Sequence, residues 1–307
     1  MIVPVFDLHC DTATKLADNG WSLRKNEAHI DLDRVAGFAG YAQCFACFTT
    51  YQTGMDSERC FREQLNAVFR ELARNSTDIR LARNAEDIER NQNSGRMSAV
   101  LTIEGTCGIS CDPSRLEMLR ETGFLITTLG WNEKNPLTGS CVTGGGLTAR
   151  GRDYVREAQR LGMVVDVSHI SDEGFWDIVN ITTAPVVATH SNSRAVRAHR
   201  RNLTDEMFRA IVQTGGTVGI NLCADFLGDD PDVDTVCDHI FHFLELDQAA
   251  KHISLGGDLD GIDVMPRGVR DMADYPRIAD RLLQRGVSEQ TVYDIFWNNA
   301  LDVLKRV

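Results

Sequence analysis

Gly162-Met-Val-Val-Asp-Val-Ser-His-Ile-Ser-Asp-Glu173 carries four structural instructions in twelve residues. Gly162 ends a preceding helix, because glycine takes the left-handed C-terminal position without strain. Met163 to Ser168 is a short, nearly continuously apolar run, the pattern of a strand buried on both faces. Ser171-Asp-Glu then sets a capping hydroxyl before acidic first-turn residues, which starts a new helix. At the junction of strand and helix stands His169, a side chain able to bind a metal.

The same unit recurs along the chain. β-rich runs lie near 2–8, 41–48, 98–103, 124–129, 163–167, 185–189, 216–221 and 253–257. Helical patterns fall between them, at Ser57 to Arg74, Asp112 to Thr122, Thr148 to Leu161, Ser171 to Asn180, Thr204 to Gln213 and Val233 to Lys251. Gly123 and Gly215 repeat the stop, and Thr204-Asp-Glu repeats the cap. Apolar strands alternating with helices build a parallel sheet covered on both faces. Eight alternations predict an α/β fold, the (β/α)8 TIM barrel, whose active sites sit at the C-terminal ends of the strands. With no internal repeat, low-complexity tract or Pro-rich linker, a single domain over residues 1–307 is expected. Trp131 to Gly151 and 224–234 read as long rim loops, and long loops in compact domains are usually functional.

Five of the runs end in a candidate ligand or acid. The first gives Asp7-Leu-His9-Cys-Asp11, with His9 and Asp11 two positions apart and so on one strand face. The others end at Glu104, His169, His190 and Asp258. Zinc takes imidazole and carboxylate donors, and catalytic sites leave a position for water. The expectation is that His9 and Asp11 hold one ion and His169 and His190 a second, with Glu104 giving one oxygen to each. A hydroxide between two such ions is a strong nucleophile at neutral pH. Each residue alone also suits a strand end or a helix cap; their joint placement at one barrel rim favours the metal centre. His29, His199, His239, His242 and His252 lie in loops or helical stretches and read as surface or structural histidines.

Composition narrows the partners. A net charge of −12 disfavours nucleic acid and anionic membranes, both of which require a basic surface. No apolar run approaches the ~18 residues of a membrane span. No secretion pattern precedes the first motif, so cytoplasm is the expected location. The nine cysteines are odd in number and read as buried thiols rather than a disulfide framework. Cys44 and Cys47, three apart in a strand, face opposite sides.

At Asp7-x-His9-x-Asp11, Glu104-Gly105, Asp166-Val-Ser-His169, His190-Ser191, Arg200-Arg201-Asn202 and Gly256-Gly-Asp258-Leu-Asp260-Gly261, the sequence resembles the membrane dipeptidase (renal dipeptidase, peptidase M19) family. The resemblance runs nearly end to end, including His29-Ile-Asp-Leu and Tyr275-Pro. It implies an amidohydrolase-type TIM barrel, two zinc ions per chain, and hydrolysis of free dipeptides, often with a D-residue at the C-terminal position. Carried over by position, the family's metal ligands fall on His9, Asp11, Glu104, His169 and His190, its catalytic Asp on Asp258, and its substrate-carboxylate Arg on Arg201. Chemistry agrees: Asp258 suits general base then general acid work, and a guanidinium binds a planar carboxylate through two parallel hydrogen bonds. In Leu129-Gly-Trp131-Asn132, Trp131 stands where many members have a substrate-contacting His. Trp cannot be protonated but its indole N–H can donate, so Trp131 and Asn132 are expected to line the substrate pocket. A homodimer is the assembly that the family implies. Two alternatives remain at this level: an amidohydrolase for N-acyl amino acids, lactones or phosphoesters, and a metal-retaining binding protein. The His-x-Asp pair and the Glu bridge favour the dipeptidase, since related amidohydrolases often use His-x-His and a modified Lys.

Overall fold

The computed structural model describes residues 2–51 and 56–307. Among these, eight parallel strands form the ring: β1 (Val5–Cys10), β2 (Tyr41–Phe48), β3 (Met97–Glu104), β4 (Phe124–Thr128), β5 (Val164–Asp166), β6 (Val186–Val187), β7 (Val218–Ile220) and β8 (Ile253–Leu255). Neighbours in the ring follow chain order, and β8 pairs with both β7 and β1. A bridge between Ala188 and Val218 closes the seam between β6 and β7. All eight expected strands are present, every one buried along its length except for the half-buried last residue of β2, Phe48, as strands covered on both faces require.

The start and stop signals act as read. Ser171 Oγ accepts the Gly174 N–H at 2.9 Å, and Thr204 caps the next helix through the Met207 N–H. Gly123 and Gly215 follow their helices at φ 116° and 79°, in the left-handed region. The helix Ser57–Arg74 buries Phe61, Gln64, Ala67, Val68, Glu71 and Leu72, a stripe at helical spacing laid against the barrel. Cys44 and Cys47 fall in separate apolar clusters, as strand alternation demands, and the cysteines are unpaired.

Several elements depart from the expectation, among them the helices Thr12–Asn19, Ala85–Asn93 and Tyr275–Gln284, and the one-turn helix Ala224–Leu227 within a stretch read as loop. Ile79–Ala82 is a further strand, pairing with the first half of β3 while β4 takes the second half. The stretch Trp131 to Gly151, expected as loop, holds an antiparallel pair, Thr138–Ser140 with Gly144–Leu147. Its second strand begins Gly144-Gly-Gly, which carries none of the β-branched or aromatic signal that marks strands. No helix of the described residues is long and apolar enough to cross a membrane.

Candidate active site

At the end of β1 the two-residue period delivers His9 and Asp11 to the rim. Asp7, one step below on the same face, is fully buried and accepts from the His9 N–H, the Gly257 N–H, Gln43 Nε2 and the Tyr275 hydroxyl. It thereby ties the ends of β1 and β8 together. Burial pushes the Asp7 carboxyl up, against the pull of these donors.

Glu104, at the end of β3, lies between the two halves of the rim. Its Oε2 is 3.3 Å from His9 Nε2, and its Oε1 is 2.8 Å from His169 Nε2 and 3.7 Å from His190 Nε2. Asp11 Oδ2 and Asp258 Oδ1 approach His9 Nε2 at 3.5 and 3.8 Å. The sequence-predicted ligands and Asp258 are therefore brought into one cluster, and all are buried.

The two histidines of the second half face each other Nε2 to Nε2 at 2.9 Å. His169 Nδ1 meets Asn132 Oδ1 at 3.0 Å, which puts its proton on Nδ1. His190 Nδ1 meets the Thr189 hydroxyl at 2.7 Å. Burial holds both imidazoles below their ordinary pKa, assisted by the Arg201 guanidinium at His169 and by His9 and Arg201 at His190. Neutral rings protonated at Nδ1 leave two lone pairs and a carboxylate oxygen facing one point. That is a donor set for a cation. Burial opposes charge on His9, yet Glu104 and Asp11 beside it raise its pKa well above the ordinary value. Asp11 is pushed up to about 7, by burial first and then by Glu104.

Two buried atoms in the first half, His9 Nε2 and Asp11 Oδ1, have no hydrogen-bond partner. Buried polar groups are nearly always satisfied, so such orphans mark positions for a ligand. Ligand atoms of His9, Glu104 and His190, and of His9, Asp11 and Asp258, lie within 4.8 Å of one another. These residues fit divalent metal with mixed nitrogen and oxygen donors.

The backbone here is unusual. His169, Asp258 and Asp260 take φ of 66°, 57° and 69°, a region that side chains other than glycine rarely adopt and that clusters at functional sites. Asp260 is held there by His29: its N–H donates to His29 Nδ1 at 2.9 Å, and its carboxylate accepts from the His29 N–H and the Thr12 hydroxyl. Gly261 follows with no room for a Cβ, which would strike Asp11 Oδ2. Asp258 Oδ2 accepts from Asn221 Nδ2 at 2.9 Å, leaving Oδ1 toward the cluster.

Above the cluster opens a cavity of about 620 Å³, lined by Trp131, Asn132, Arg200, Arg201, Phe226 and Asp258 among others. Arg201 donates through Nη2 to the His190 carbonyl and to His169 Nε2, both at 3.2 Å, while its buried Nε is unpartnered. Its guanidinium lies 5.4 Å from the centre of the Phe226 ring, which stacks on His199. Trp131 sets its ring 6.2 Å from that of His169 and meets Phe48 edge-on. Among the remaining histidines, His239 is a buried structural residue bonded to the Leu227 carbonyl and the Ser193 N–H. Sequence reasoning read His29 as a surface or structural histidine without finding its partner Asp260, and missed Phe226 and Asn221. Asn221 had a signal, since it ends the seventh apolar run as the ligands end theirs.

A parallel barrel whose rim gathers imidazoles and carboxylates, with His9 Nε2 and Asp11 Oδ1 left without partners, has the architecture of the metal-dependent amidohydrolase barrels. The family pattern "Membrane dipeptidase (Peptidase family M19)" matches residues 2–307, and the chain belongs to that family. An uncharacterized dipeptidase of Schizosaccharomyces pombe is 36% identical over 216 residues, covering 68% of this chain and 53% of that protein. The match thus spans about half of that relative. An uncharacterized protein in the pqqA 5′ region of Klebsiella pneumoniae is 34% identical over 259 residues, 80% of this chain and 95% of that one. The crystal structure of a metallopeptidase from Rhodobacter sphaeroides, liganded with a phosphinate mimic of the dipeptide L-Ala-D-Ala, superposes with a TM-score of 0.91 at 25% identity. It covers 100% of this chain and 99% of that one.

Proposed function

We propose that the chain hydrolyses the peptide bond of free dipeptides, with two zinc ions held at the barrel rim. The observation that carries the reading is the division of Glu104, one oxygen toward His9 and the other toward His169. His9, Asp11 and Glu104 would hold one ion, and Glu104, His169 and His190 the other. When bound, such a pair supplies an activated water and polarises the carbonyl under attack. The phosphinate dipeptide mimic in the Rhodobacter sphaeroides structure supports a dipeptide as substrate, including one with a C-terminal D-residue.

The chain's own residues do the rest. Arg201, with its unpartnered Nε, grips the substrate's terminal carboxylate and so selects for a free C-terminus on the residue being released. Asp258 accepts a proton from the attacking water at Oδ1 and returns it to the leaving amine, while Asn221 fixes its other oxygen. Trp131 and Phe48, packed edge-on, line one side of the pocket, and Asn132 orients His169. The test is to quantify metal and turnover on one purified sample, with L,L and L,D dipeptides beside esters and N-acyl amino acids. About two ions per chain and preferential cleavage of dipeptides are expected; full turnover by metal-free protein sinks the reading.

A further inference from the structure

Beneath the second half of the rim lies a buried carboxylate that the reaction above does not use. Asp166 ends β5 with no solvent exposure, and four donors converge on it. Oδ1 accepts the N–H groups of Ser168 and Thr189, both at 2.9 Å. Oδ2 accepts the hydroxyls of Thr128 at 2.6 Å and of Thr189 at 2.7 Å. The last of these sets a direction. A hydroxyl has one proton, and Thr189 gives it to the carboxylate. Toward His190 Nδ1, at 2.7 Å, the same oxygen can then only accept. The proton of a neutral His190 must therefore sit on Nδ1, which leaves the lone pair on Nε2, the atom that faces His169 and Glu104.

We propose that Asp166 and Thr189 are positioning residues: a carboxylate–hydroxyl relay that fixes the tautomer of His190 and strengthens its Nε2 as a donor to a divalent cation. Histidines that bind metal commonly give their other ring proton to a carboxylate or carbonyl, and loss of that partner costs about 10–100-fold in metal affinity. Here the carboxylate acts through an intervening threonine. The inference rests on the metal-centre reading above, and its consequence falls on one half of that centre.

The test compares Thr189→Val, which keeps shape and removes the hydroxyl, with Thr189→Ser, which restores it; Asp166→Asn is the third variant. Zinc affinity is measured by chelator competition, and the protonation of the imidazole nitrogens by 15N NMR on metal-free protein. Expected is a loss of about 10–100-fold for one zinc ion in Thr189→Val and Asp166→Asn, with near wild-type affinity in Thr189→Ser. The Nδ1 signal of His190 should lose its protonated character in Thr189→Val alone of the two threonine variants. Wild-type zinc affinity and an unchanged nitrogen signal in Thr189→Val overturn the proposal, as does Thr189→Ser failing like Thr189→Val. The valine–serine contrast decides the relay even if Asp166→Asn does not fold. Absence of dipeptide turnover by the wild type bears on the substrate reading and leaves this contrast intact, whereas a wild type that binds no zinc overturns both.

Discussion

His169 and His190 stand Nε2 to Nε2 at 2.9 Å, with Glu104 Oε1 2.8 Å from the first of them. With both rings protonated at Nδ1, two nitrogen donors and a carboxylate oxygen crowd together with only the Arg201 guanidinium to relieve them, and a bound cation would relieve them further. Metal should therefore stabilise the fold. A ligand that binds only the native state adds about 2.7 kcal/mol at a hundredfold excess over Kd. Thermal unfolding followed with and without a strong chelator should show Tm falling on metal removal and returning with added zinc; identical curves would count against a centre at this rim.

Arg201→Ala should raise KM and depress kcat/KM for dipeptides. Removing one member of a buried, hydrogen-bonded charge pair costs roughly 2–5 kcal/mol, so a loss of at least about 30-fold is expected. An amidated dipeptide should suffer a comparable loss with the wild type and little further loss with the variant, because both changes delete one interaction. Additive losses would place the carboxylate elsewhere.

Asp258→Asn keeps the contact to Asn221 in shape but cannot take a proton. kcat should fall by about 10²–10⁴-fold, with metal content and Tm near wild type. Retention of turnover would assign the proton transfers to another group.

Asp31 gives a prediction for stability against pH. It caps Leu32–Val35 through the Arg34 N–H and pairs with the Arg34 guanidinium at 2.8 Å. Burial works to raise its pKa, but Arg34 outweighs that and holds the carboxyl below its ordinary value. A folded-state pKa below the unfolded one means stability present above the unfolded value and lost as pH falls through the folded one. Asp31→Ala should cost about 1 kcal/mol at neutral pH, and its deficit should shrink below about pH 4. A deficit independent of pH in denaturant titrations would show that the carboxylate charge is not what matters.

Much of this site was legible because it is written in local periods. His9 and Asp11 announce themselves by the two-residue repeat of a strand, and Glu104, His169, His190 and Asp258 by ending apolar runs. What stayed hidden depends on contacts remote in sequence. His29 reads as a loop histidine because its partner, Asp260, is 231 positions away. Phe226 looks like any apolar residue of a rim loop until Arg201 is laid beside it. Asn132 was legible as a pocket residue, but its contact to His169 Nδ1 depends on how the loop turns back over the barrel. The strand Ile79–Ala82 is too short and too mixed, with an exposed Arg80, to show the continuous apolar pattern of its neighbours.

The closed ring makes the centre an assay of its own completion. The side chains proposed to hold metal come from the ends of β1, β3, β5 and β6, with Asp258 from β8, so residues as far apart in sequence as His9 and Asp258 meet in one cluster. A partly wound barrel lacks at least one wall of that cluster and has no reason to retain an ion. Metal uptake followed in real time during refolding should thus lag behind helix formation and coincide with the last strand entering the ring.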